Sequence, residues 1–182
     1  MSLDYNIYLS SIEGFDKFDC EKYYAELGLK VELNVGDSIA DCTGFLPIKL
    51  LPDFLGDSEF TSPLVTGFEV FFDEYTPKPA RKKSMFEKFF GIKPDIPAYS
   101  DKLSRCTCVM NLYCSELLET LVILPFAAYL CKNFDAVFED PQSERFYLSE
   151  EEIIADFNWI LAEVNREYDE GLLEYHKFEG WQ

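Results

Sequence analysis

Histidine and positive charge are what this chain has least of. One histidine, His176, occurs in 182 residues, and 16 Lys and Arg stand against 34 Asp and Glu, a formal charge of −18. A surface this negative repels nucleic acid and anionic lipid and draws basic partners by long-range steering. Nucleophilic catalysis of the Ser-His-Asp or Cys-His kind needs a base beside the nucleophile. His176 sits in a polar run, Glu174-Tyr175-His176-Lys177, and reads as a surface residue. Glycine-rich phosphate loops of either common spacing are missing, and the nine glycines are scattered singly. No Asp-x-Asp-x-Asp-Gly calcium loop occurs.

Also absent is any Cys-x-x-Cys pair. The six cysteines (Cys20, Cys42, Cys106, Cys108, Cys114 and Cys131) fall mostly in apolar runs, which reads as buried free thiols rather than disulfides or a metal centre. No cofactor is expected. The longest uninterrupted apolar stretch, Leu121–Leu130, is too short to span a bilayer. The start, Met-Ser-Leu-Asp-Tyr, lacks the basic and apolar segments of a secretion signal. A cytoplasmic location without membrane contact is the expectation.

What the chain has is material for a core: 48% hydrophobic residues, with 17 Phe and 11 Tyr. Residues 1–182 are expected to form a single domain. Tyr5–Ser10 reads as a strand, and Asp19 as the cap of a helix over Cys20–Leu27, ended by Gly28. Leu29–Asn34, Gly44–Leu51 and Leu64–Tyr75 read as further strands. In the last of these, Leu64, Thr66, Phe68, Val70 and Phe72 share the buried face. Arg105–Tyr113 follows as a strand, and Ser115 as the cap of a helix over Glu116–Lys132. That helix is apolar on nearly every face and so belongs inside, with Pro125 in its interior expected to bend it. Asp135–Glu139, a turn at Asp140-Pro141-Gln142-Ser143 and Arg145–Leu148 make a hairpin. Ser149 and Glu152 have capping-box spacing ahead of a last helix whose stripe is Ile153, Ile154, Phe157, Ile160, Leu161 and Val164. The order predicts an α+β fold: one mixed or antiparallel sheet with helices mainly on one face.

Residues 76–99 interrupt this pattern. Lys78, Arg81, Lys82, Lys83, Lys88 and Lys93 hold six of the sixteen basic residues, framed by prolines, and Ser84–Phe90 has the spacing of a short amphipathic helix. The segment reads as a basic, proline-containing insertion that packs its Phe residues locally or meets an acidic partner.

Over Cys106–Leu148 a strand feeds an apolar helix and then Phe134-Asp135-Ala136-Val137-Phe138-Glu139-Asp140-Pro141-Gln142-Ser143. This resembles a pattern in uncharacterised bacterial proteins, an Ala/Leu-rich helix followed by Gly-Val-Val-Tyr-Asp-Pro-Gln-Ser/Thr-Gly. Some of those proteins resemble immunity proteins that neutralise toxins passed between bacteria. Here Phe134-Asp135 and Glu144 stand where that pattern has glycine. The resemblance implies a fold more than an activity and carries over no functional residues.

Twelve acidic residues lie between Glu139 and Glu174, opposed only by Arg145 and Arg166. On the last helix Glu152, Asp156, Glu163, Glu167 and Glu170 project away from the apolar stripe. With Tyr168, Tyr175 and Trp181 they make up the expected partner-binding surface of a non-enzymatic protein, fit for a basic protein such as a cationic toxin. A second copy of the chain is the other partner considered. The rival reading is a small enzyme or ligand-binding protein with its pocket between the sheet and helix 116–132.

Overall fold

The computed structural model describes residues 3–36, 38–56, 61–77 and 99–181. The basic cluster Lys78–Lys93 and the expected helix Ser84–Phe90 lie outside them. In chain order the elements are β1 (Leu3–Leu9), α1 (Lys17–Glu26), β2 (Val31–Leu33), β3 (Gly44–Leu50), β4 (Leu64–Glu74), α2 (Tyr99–Leu103), β5 (Cys108–Cys114), α3 (Leu117–Phe134), β6 (Val137–Asp140), β7 (Arg145–Tyr147), α4 (Glu150–Asp169) and β8 (His176–Lys177), with 3-10 turns at Ile39–Asp41 and Pro52–Leu55. The strands form one antiparallel sheet in the order β2-β3-β4-β5-β1-β6-β7, and β8 adds to the start of β4. The fold is α+β.

Side-chain alternation sets the two faces of the sheet. Tyr5, Ile7 and Leu9 of β1 point to the helix side, as do Leu46, Ile48 and Leu50 of β3 and Phe68 and Val70 of β4. α3 lies against this face, with the Phe126 ring 5.4 Å from that of Phe68. Thirteen of its eighteen residues are buried, so its length and apolarity serve the core. α4 rests on α3 through Ile153, Phe157, Ile160 and Val164, and α1 joins the same layer, where the Tyr24 hydroxyl donates to the Val122 carbonyl. The inward side chains of the sheet and those of α3 belong to one buried cluster.

Two helix starts differ from expectation, and a third keeps its cap residue with different bonding. Asp16, not Asp19, caps α1: its carboxylate accepts from the backbone N–H of Phe18 and Asp19 at 2.7 and 3.1 Å. α3 has Glu116 at its cap position rather than Ser115, because Glu119 reaches back to the N–H groups of Ser115 and Glu116 at 2.6 and 3.1 Å. Ser149 does hold the cap position of α4, but its hydroxyl makes no capping bond, and Glu152 accepts from the Leu148 N–H at 3.1 Å instead. β5 begins three residues later than expected, since Ser104–Cys106 continue the turn out of α2. Among the described residues, Asp135 and Glu144, at φ 50° and 55°, are the non-glycine residues in the left-handed region.

Candidate functional site

The expected surface begins with the composition of α4, which carries seven acidic residues and one arginine. At 3.6 residues per turn, its apolar stripe turns inward and Glu152, Ala155, Trp159, Ala162, Arg166 and Glu170 line the outer side, all exposed. The line runs for about 27 Å. Trp159 stands near its middle with 63% of its surface exposed. Its neighbours one turn away are Ala155, Asp156, Ala162 and Glu163. Two of these are too small to cover an indole and two are acids, which is why the ring stands clear.

The carboxylates of this face are organised by two arginines. Arg166 pairs with Glu163 at 2.7 Å and Glu170 at 3.0 Å, with Glu167 at 4.0 Å. Three negative groups therefore share one guanidinium, and a surplus of two charges remains. Arg145 binds Asp156 at 3.0 Å, lies over the Tyr147 ring, and leaves the Tyr147 hydroxyl to donate to the same carboxylate. Burial, followed by that hydrogen bond, pushes the Tyr147 hydroxyl well above its ordinary pKa. At the helix start Glu150 pairs with Lys132 at 3.1 Å, and the three acids of the first turn sit at the positive end of the helix dipole. Asp156 and Glu152 thus have structural duties, whereas Glu163, Glu167 and Glu170 hold a net negative field.

The expected aromatic contacts are not gathered on this surface. Tyr168 and Tyr175 are half-buried and pack against the core. Trp181 lies across the opposite face of the sheet, its indole N–H donating to Glu32 at 3.4 Å and its ring 4.8 Å from Phe178. Trp159 was missed by sequence reasoning that looked near the end of the chain. The helical periodicity that placed Phe157 and Ile160 inside puts Trp159 outside.

The cysteine thiols share one effect of burial. Burial pushes the Cys131 thiol up to about 12 and the Cys114 thiol to about 11, and raises Cys20, Cys42, Cys106 and Cys108 as well. Thiols in this state are poor nucleophiles at neutral pH. Cys108 and Cys114 stand at opposite ends of β5, about 20 Å apart at the rise of an extended strand, so they cannot share an ion. Among the described residues no group of three His, Cys, Asp or Glu side chains is arranged to hold a metal. His176 is exposed on β8. Glu139 on β6 accepts from the Tyr8 hydroxyl at 2.6 Å and the Asn6 amide at 2.8 Å, both on one oxygen. Compared with protein-family models, curated proteins and solved structures, the chain matches none.

Proposed function

We propose that this chain is a non-enzymatic binding protein of immunity type, cytoplasmic and bacterial, which captures a basic protein such as a cationic toxin on the outer face of α4. The observation that carries the reading is Trp159, 63% exposed at the centre of an acidic helical face. Covering that indole removes enough apolar surface to contribute on the order of 3 kcal/mol, within the range of an interface hot spot. The surrounding carboxylates contribute less to affinity, because exposed ion pairs are each worth about 0–1 kcal/mol. Their role is to speed encounter with a cationic surface and to turn acidic proteins away. Glu163, Glu167 and Glu170 share Arg166, which fixes them in place and leaves net charge to offer.

The test is affinity capture from the native host with the full chain and with Trp159→Ala, at low and raised salt. The reading predicts a basic protein retained by the unaltered chain at low salt, weakened by salt and lost with the substitution. Recovery of no basic protein in either condition contradicts it.

A further inference from the structure

Among the described residues, none covers the middle of the sheet's second face. On the β2–β3 side the segment leading from β8 to Trp181 crosses it, anchored by the Phe178 N–H on the Pro63 carbonyl at 2.8 Å and bounding a cleft of about 540 Å³ with Phe45, Val65 and Phe178. On the β6–β7 side α2 covers it through Tyr99, whose ring stacks 4.0 Å from Phe146. Between these flanks the floor presents Phe45, Glu69, Phe71, Asp73, Asn111 and Tyr113. Phe45 is 53% exposed and Phe71 37%, and Phe71 meets the Tyr113 ring edge-on at 5.9 Å. Gly67 sets the Phe45 ring: at φ 155° it lies opposite Pro47, where a Cβ would strike the Leu46 carbonyl and come within 2.8 Å of the ring.

Among the described residues the charge over β4 and β5 has one sign. Their outward positions include Glu69 and Asp73 and no Lys or Arg, while Lys49 of β3, on the same side of the sheet, is paired with Glu32 at 3.1 Å. Aromatic rings beside carboxylates suit a surface that brings apolar side chains and cations together. The dimensions select its shape. From β3 to β6 the sheet spans four strand spacings, about 19 Å, and the flanking segments overhang both margins. One α-helix, about 10–12 Å across, fits between them and two do not. Along the strands the seven residues of β5 span about 20 Å, the length of nearly four helical turns.

We infer that this trough is a second docking surface, occupied by a basic amphipathic helix of a protein partner. Its apolar stripe would lie on Phe45, Phe71 and Tyr113, and its Lys or Arg side chains would reach Glu69 and Asp73. The inference rests on the reading of the chain as a captor of a basic protein, and adds a surface on the side of the sheet away from α4.

The experiment titrates the isotopically labelled full chain with a synthetic helical peptide of about fourteen residues (about 21 Å) built from Leu and Lys, and with its Leu/Glu counterpart. The probes are the side-chain amides of Asn6 and Asn111, the latter donating to Asp73 at 2.8 Å, and the indole N–H of Trp159. The expected result is a saturable shift of both amides with the Leu/Lys peptide and none with the Leu/Glu peptide. Phe71→Ala, or Glu69→Gln with Asp73→Asn, should weaken the dissociation constant about tenfold, and Trp159→Ala should leave it unchanged. No amide shift, a shift without saturation, or insensitivity to the sheet substitutions overturns the inference. If only the Trp159 indole and its helix respond, the trough is excluded and the α4 face stands. Saturable amide shifts, combined with failure of the affinity capture, would leave the trough without the α4 face.

Discussion

Single residues show where this fold tolerates cost. Thr66 faces the core on β4 with 6% exposure, and its hydroxyl has no hydrogen-bond partner. A buried, unpaired hydroxyl opposes folding, so Thr66→Val is expected to raise stability by about 1 kcal/mol, read as a higher urea midpoint with unchanged slope. Asp135 carries a different burden. It ends α3 in a left-handed conformation and binds Lys102 at 2.7 Å and Arg105 at 3.2 Å. The hydrogen bond from Lys102, aided by both cations, holds its carboxyl below the usual carboxylate range. A depressed folded pKa means the stabilisation is complete above the unfolded value of about 3.9 and is lost as pH falls through the lower folded value. The side chain is 56% exposed, so solvent screening keeps the contribution below about 1 kcal/mol. Asp135→Asn retains a side chain that tolerates the left-handed region. It should lower stability slightly at neutral pH and match the unaltered chain once both carboxyl states are protonated, as followed by urea unfolding across the acid range.

At the scale of elements, α4 has two faces with separable duties, and residues two apart distinguish them. Phe157, 1% exposed, packs toward α3, and Phe157→Ala should cost about 3–5 kcal/mol. Trp159→Ala should change stability by no more than about 0.5 kcal/mol while removing partner binding; urea unfolding and affinity capture on the same two proteins measure both. This division was legible in the sequence, since the periodicity that gathered Ile153, Phe157, Ile160 and Val164 also assigns Trp159 to the outside. Strands were legible for a similar reason: β4 alternates so regularly that its buried face could be named residue by residue. Cap residues were not, because Asp16 against Asp19, or Glu116 against Ser115, is a choice among neighbours of similar chemistry that backbone geometry decides. Nor was the sheet order. β1 lies between β5 and β6 through pairings such as Ile7 with Met110 and with Phe138, and nothing local to those residues announces them. The placement of Trp181 over the sheet follows from β8, two residues pairing with Leu64 and Val65, too short to leave a pattern.

For the whole molecule, the dominant quantity is the charge of −18. Its field reaches about 8–10 Å at physiological salt and about 30 Å at 0.01 M, so added salt should slow association with a cationic partner far more than it speeds dissociation. Stopped-flow association rates against ionic strength measure this, with a steep fall expected and a flat response counting against electrostatic capture. The same field leaves one side of the molecule with an isolated indole and the other with aromatic rings among acids, on opposite sides of one sheet. The measurement that tests the binding account most directly is amide hydrogen exchange of the chain, free and bound to the captured basic protein. The account predicts slowed exchange along Glu152–Glu163, centred on Trp159. Unchanged exchange over that helix in a saturated complex would contradict it.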